Sequence, residues 1–208
     1  MRLVLASNNA HKLVELRALL AGLALELVPQ SEFGLGEADE PHPTFIENAL
    51  AKARHAALGC GGAALADDSG LCVPALGGDP GVASAEFAGA VPATGEREQR
   101  RRVQDAANNA LLLERMRGCA DRSAYFFSTL VALRHAQDPQ PLVASARWQG
   151  RVLETGQGTG GFGYDPLLFL PELGRSVAQL SAAEKNAHSH RARAMAQMRQ
   201  LLAEAWRV

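Results

Sequence analysis

Short apolar runs that alternate with amphipathic stretches predict an α/β fold built on a mixed sheet. Three observations carry that expectation. Strand-length apolar runs occur at residues 3–6 and 63–66, leucine and alanine at helical spacing fill 13–20 and 46–57, and no repeat, low-complexity tract or linker interrupts the 208 residues. With 47% hydrophobic and 21% charged residues the chain can bury a core as one large domain or two packed lobes, and it is neither disordered nor fibrous.

Each element can be justified in order. The strand over 3–6 runs into Ser7, Asn8 and Asn9, after which Leu13, Leu16, Leu19 and Leu20 line one helix face. A second strand is expected over 25–28. The stretch 31–43 holds Gly34, Gly36, Pro41 and Pro43 and the acids Glu32, Glu37, Asp39 and Glu40, and has no periodic apolar face. It reads as a loop, and long loops in compact domains are often functional. Thr44 and Glu47 form a capping box, in which hydroxyl and carboxylate reciprocally satisfy amides of the first turn. The helix it opens is expected to turn Ile46, Leu50, Ala53 and Ala57 inward, with Lys52 and Arg54 beside that face.

The strand over 63–66 is expected to end in Asp67-Asp68 at a Ser69-Gly70 turn, with a rigid turn-rich loop over 76–82. A helix is expected from Glu96 to Arg117 with Val103, Ala107, Leu111 and Met116 on its apolar face. Arg97, Arg100, Arg101 and Arg102 near its start read as a solvated charged face. Segments 125–133 and 142–148 read as an antiparallel strand pair joined through Asp138-Pro139-Gln140-Pro141, with a third strand over 150–153. A glycine-rich loop fills 156–166. A second capping box, Ser181 and Glu184, opens the C-terminal helical region, whose last apolar stripe is Met195, Met198, Leu202 and Ala205.

Charge and cysteine usage exclude several functions. Twenty-one Lys and Arg against 22 Asp and Glu leave a formal charge of -1, which argues against a surface that tracks a nucleic-acid backbone. Cys60, Cys72 and Cys119 are odd in number and form no CxxC, so neither a disulfide framework nor a structural zinc site is indicated. The first apolar run is too short for a signal peptide and no later one spans a bilayer. A soluble, cytoplasmic protein with no membrane partner is expected.

Four segments carry candidate chemistry. Adjacent carboxylates at Asp67 and Asp68 repel one another unless a cation such as Mg²⁺ is present, although one capping acid and one exposed acid explain the dipeptide as well. Because strand side chains alternate, only one of the two need face a site. The loop Ser7-Asn8-Asn9-Ala10-His11-Lys12 offers helix N-terminal amides and a lysine to an anion, yet lacks the GxxxxGK of a Walker loop and also reads as an ordinary Asn-capped helix. Glycines of the loop 156–166 allow close backbone approach, and Phe162 and Tyr164 offer flat faces to a nucleobase, unless Phe162 is simply core. Glu184 to Arg191 is rich in donors. His188 and His190 lack the spacing of an HExxH metal site, while Lys185 and Arg191 can bind phosphate and a carbonyl oxygen, or form a solvated turn.

Taken in this order, LVLASNNAHKLVEL, PTFIENALAKARHAA, ADDSGLCVPALGGDPGVASAEFAG, GTGGFGYDP and LSAAEKNAHSHRARA resemble the inosine triphosphate pyrophosphatase family of RdgB-type enzymes over nearly the whole chain. The resemblance implies a single domain over 1–208 with a central mixed, twisted sheet flanked by helices, two lobes around a substrate cleft, and a homodimer. It implies Mg²⁺-dependent hydrolysis of ITP, dITP and XTP to the monophosphate and pyrophosphate, which clears deaminated purines from the nucleotide pool. It places Ser7, Asn9 and Lys12 on the triphosphate, with Asn8, Ala10 and His11 in the same loop, and adds Lys52 to the phosphates. Glu40 and Asp68 become metal ligands, with Asp67 alongside, and Asp68 the catalytic base. Ser69 touches substrate, Phe162, Gly163, Tyr164 and Asp165 hold the purine, and Lys185, His190 and Arg191 complete the base and phosphate contacts. The chain departs from the family pattern at Asn8 and Ala192, where glycine is common. A Maf-like pyrophosphatase shares the broad architecture, but the FGYD and SHR segments speak against it. A catalytically silent nucleotide-binding module is opposed by the presence of every acid and lysine of the site.

Overall fold

The structure is a computed structural model that describes residues 1–92 and 94–208, with Arg97 by its backbone only. Its strands and helices in chain order are β1 (Arg2–Leu5), α1 (Ala10–Leu19), β2 (Glu26–Pro29), α2 (Phe45–Cys60), β3 (Ala64–Cys72), α3 (Arg97–Arg115), β4 (Ser123–Leu133), β5 (Leu142–Val152), β6 (Leu168–Leu170), β7 (Arg175–Ser176), α4 (Ala182–His188) and α5 (His190–Trp206). The strands form one sheet in the order β2-β1-β3-β4-β5-β6-β7. β1 pairs in parallel with β2 and β3, whereas β6 pairs antiparallel with β5 and β7, so the sheet is mixed as expected. Among the described residues no helix is long and apolar enough to cross a membrane.

The chain divides into two compact units, the first comprising Met1–Asp68, Ser128–Ala146 and His188–Val208, the second Ser69–Phe127 and Arg147–Ala187. In the first, strand alternation sorts side chains into two cores. Leu3, Leu5 and Leu65 pack with Leu16 of α1 and Met195, Met198 and Leu202 of α5 on one face. Val4, Ala6, Ala64 and Ala66 pack with Ala49, Ala53 and Ala57 of α2 on the other. α2 starts where Thr44 accepts from the Glu47 amide at 3.3 Å, and the Glu47 carboxylate takes the Thr44 hydroxyl at 2.5 Å. It stops at Gly61, whose φ of 64° suits glycine. Two expected inward residues differ. Ile46 is 47% exposed and Ala205 lies on the solvent side, because each sits at a helix end beyond the reach of the sheet.

The second unit has one core, in which Leu71, Ala124, Phe126, Trp148, Val152 and Leu168 pack with Leu112 and Met116 of α3. Three sequence expectations are corrected here. β3 does not end before a Ser-Gly turn but runs on to Cys72. Gly70 permits this, since a Cβ there would collide with the Gly81 carbonyl and the Ser84 hydroxyl. The strand expected over 150–153 is the end of β5, which continues through Gly150 against the Phe169 carbonyl. Of the face expected for the α3 segment Met116 is buried, but Val103 is 41% exposed and Ala107 and Leu111 are half-buried, and the residues buried with Met116 are Asn108 and Leu112. Polarity selects that face, because Asn108 donates to the Ser84 and Ala85 carbonyls and Gln104 to the Gly89 carbonyl.

Candidate active site

The loop between β1 and α1 spends its side chains on its own shape. Ser7 Oγ accepts from the Asn9 amide at 3.1 Å, and Asn9 Oδ1 caps α1 by accepting from the His11 and Lys12 amides at 3.0 and 3.3 Å. Asn8 needs no left-handed backbone, since Arg207 is the only non-glycine residue with positive φ among the described residues. Its buried Oδ1 has no hydrogen-bond partner there. Ala10 is exposed and His11 half-buried at the start of α1. Lys12 extends to β3, where its Nζ donates to the Asp67 carbonyl at 3.1 Å and pairs with Asp67 Oδ2 at 3.2 Å.

Alternation along β3 sends Asp67 to the face of α1 and α5, and Asp68 to the face of α2. Asp67 is saturated: Ser128 donates to Oδ1 at 2.8 Å, and Arg191 Nε donates to Oδ2 at 2.9 Å. The same guanidinium pairs with Glu15 of α1. Burial works to raise the Asp67 carboxyl, but Arg191 and Lys12 outweigh it and hold the group far below the usual carboxylate range. Burial in turn lowers the Lys12 ammonium despite Asp67 beside it.

Asp68 differs. Lys52 Nζ donates to Asp68 Oδ1 at 2.7 Å and to Glu40 Oε2 at 2.8 Å, so one ammonium bridges two carboxylates. Asp68 Oδ2 is buried and has no partner among the described residues. Burial pushes the Asp68 carboxyl up to about 6 against the pull of Lys52. The same burial opposes ionisation of Glu40, but Lys52 prevails and its carboxyl is lowered. Lys52 itself is raised, since Asp68 and Glu40 overcome its burial. Among the described residues no group of three or more His, Cys, Asp or Glu stands together to hold a metal. Two carboxylates, one with an unpaired buried oxygen, nevertheless fit Mg²⁺, which is held by one or two carboxylates and completed by phosphates and water.

In the second unit, Ser69 is half-buried directly after Asp68 in β3. The segment Phe162 to Asp165 is tied down from two sides. Asp165 Oδ2 accepts from the Phe162 amide at 3.0 Å and from Lys185 Nζ at 2.8 Å, and Gly161, with φ of 73°, leaves room for that carboxylate. From α3, Asp105 accepts from the Gly163 amide at 2.8 Å and Asn109 donates to the Gly163 carbonyl at 3.0 Å. Buried Tyr164 donates its hydroxyl to the Ser84 carbonyl at 2.9 Å. Lys185 Nζ lies 4.5 Å from the Phe162 ring centroid and Arg101 Cζ 5.1 Å. Phe162 is half-buried, so its ring is not simply core. Ser181 and Glu184 form the expected capping box of α4, at 2.8 and 3.2 Å. Ser189 then caps α5 by accepting from the Ala192 amide at 3.1 Å, which separates His188 from buried His190 and Arg191.

A model of the Ham1 family matches residues 3–201. The chain belongs to the Ham1 family. It is 64% identical to a dITP/XTP pyrophosphatase of Methylibium petroleiphilum over 206 residues, and 60% identical to one of Leptothrix cholodnii over 209, with 99% of each chain covered in both cases. A Ham1 protein from Coxiella burnetii superposes with a TM-score of 0.88 at 40% identity, covering 99% of this chain and 100% of that one. The Ham1 protein of Staphylococcus aureus gives 0.82 at 31% identity, covering 98% and 99%. The resemblance read from the motifs and the α/β fold are thereby borne out.

Sequence reasoning passed over several residues of this Ham1 chain. Glu15 and Ser128 hold the Arg191–Asp67 pair, and Asp105 and Asn109 hold the loop at Gly163. The arginine run also needs correction. Arg100 and Arg102 are exposed as expected, but Arg101 is half-buried against Phe162, because it shares a helix face with Asp105 one turn on. The side chain of Arg97 lies outside the described residues.

Proposed function

We propose that the chain hydrolyses dITP, XTP and ITP to the monophosphate and pyrophosphate with Mg²⁺ as cofactor, and so removes deaminated purines from the nucleotide pool. The observation that carries this reading is the Asp68 carboxylate, with one oxygen on Lys52 and the other buried without a partner among the described residues. Near-full-length relatives named dITP/XTP pyrophosphatase support the substrate class.

Glu40 and Asp68 are the residues that would hold Mg²⁺, which when bound supplies positive charge to phosphate oxygens and acidifies water. Asp68 takes a proton from the water that attacks the α-phosphorus. The new P–O bond forms as the bond to the bridging oxygen breaks and pyrophosphate leaves. A carboxyl raised to about 6 suits a base that must gain and shed a proton near neutral pH. Lys12 and Lys52, with Lys185, stabilise the charge that builds on the phosphate oxygens. Asp67 acts through Lys12 and Arg191, whose positions it fixes, and Ser7 and Asn9 shape the loop whose amides face the triphosphate. Phe162, Gly163, Tyr164 and Asp165 receive the base, with His190 among its contacts. The same reading makes the protein a cytoplasmic homodimer. Its three free cysteines accord with a reducing compartment.

Pyrophosphate release from ITP, dITP, XTP, ATP and dGTP, with and without Mg²⁺, tests the proposal. Release is expected from the first three and only with metal. Equal rates on ATP and ITP would overturn the selectivity, and no release from any nucleotide would favour a silent binding module.

A further inference from the structure

Arg101 stands apart from the arginines beside it. Arg102 pairs with Glu98 at 3.6 Å in solvent and Arg100 is exposed, whereas Arg101 is half-buried with its guanidinium over Phe162. Its Nε is buried and finds no acceptor among the described residues. The nearby acids are already engaged, Asp165 by Lys185 and the Phe162 amide, and Asp105 by the Gly163 amide. A buried N–H of a permanent cation is costly to leave unpaired, so the acceptor has to arrive with whatever binds at the ring.

Resting on the function proposed above, that ligand is a purine. Hypoxanthine, xanthine and guanine carry an oxo oxygen at C6, where adenine carries an amino group. A guanidinium can only donate. It therefore gains a hydrogen bond from an oxo oxygen and meets a second donor at an amino group, the arrangement by which polar sites discriminate most strongly. We infer that Arg101 is a specificity-determining residue that donates to the 6-oxo oxygen of the purine held at Phe162 and so favours 6-oxopurines over adenine.

Arg101→Met keeps an unbranched stem beside the ring and removes the donors. The test compares kcat/KM of both proteins on XTP, dITP, ATP and dGTP. The variant is expected to lose about tenfold or more on XTP, dITP and dGTP, the effect of one charged hydrogen bond, with ATP unchanged or faster. A parallel fall on all four nucleotides would mean that Arg101 merely props Phe162, and no change would mean that it reads nothing; either result overturns the inference. Calorimetric affinities for IMP and AMP provide a readout that needs no turnover. Should the wild type release no pyrophosphate, the catalytic reading fails by itself, while the IMP to AMP affinity ratio still decides Arg101, falling in the variant if the inference holds and staying level if it does not.

Discussion

Two faces of one strand give the same residue type opposite properties. Asp67 and Asp68 are adjacent, both buried and both beside lysine, yet one is held far below the usual carboxylate range and the other is raised to about 6. The difference lies in what each layer supplies. The α1 and α5 face brings a lysine and an arginine, with the Ser128 hydroxyl, to Asp67 and Glu15, so two cations balance two carboxylates. The α2 face brings one lysine to two carboxylates, so Asp68 is undercompensated and keeps an oxygen available. Burial is common to both, and the ratio of cations to anions decides the sign. Asp67 is thereby fully engaged by its neighbours, and Asp68 keeps one oxygen with no partner among the described residues.

The largest effect that can break this contrast is on turnover. Asp68→Asn keeps the volume and removes the proposed base, and pyrophosphate release should fall by about 10²–10⁴-fold. Thermal unfolding should show the protein still folded, and a variant with wild-type release would end the distinction between the faces. Asp67→Ala should instead act on stability. Arg191 and Lys12 would be left buried without their shared anion, at a cost of about 3–5 kcal/mol in urea unfolding. A loss below about 1 kcal/mol would mean that Glu15 alone balances the arginine.

A smaller effect sharpens the comparison through pH. For Asp68 the folded state binds its proton more tightly than the unfolded chain, whose carboxyl lies near 3.8. Its contribution to stability is therefore present below that value and lost as pH rises through about 6. Metal-free wild type should lose roughly 2–3 kcal/mol relative to Asp68→Asn between pH 4 and 7, measured by denaturant titration. Asp67 has the opposite sign. Its contribution is complete above the unfolded value and is lost as pH falls, so acid should narrow the gap between wild type and Asp67→Ala.

Much of this was legible in the chain because it is local. Leucines at helical spacing announced α1, and Ser181 with Glu184 announced α4, since a cap and an apolar stripe are short-range patterns. The candidate acids and lysines were legible through motifs in register. The length of β3 was not, because Gly70 normally signals a turn and here answers a close approach by residues 81 and 84. Nor was the inward face of α3, where buried Asn108 and half-buried Gln104 hydrogen-bond to carbonyls that no apolar periodicity reveals. Ser128 lies 61 residues from the carboxylate it serves, and Asp105 58 residues from Gly163. Such pairings arise only when the sheet and helices are assembled.

The ion network around Asp67 also bears on the order in which the first unit is completed. Arg191 reaches back 124 residues to Asp67 and 176 to Glu15. During synthesis those acids, and Lys12 with them, are in place long before their guanidinium leaves the ribosome. Contacts of such long separation form late, after the entropy of closing the intervening chain has been lost. Docking of α5 is therefore the step that neutralises this interior, and until it occurs the N-terminal strands hold an unbalanced, water-seeking centre that cannot be sealed.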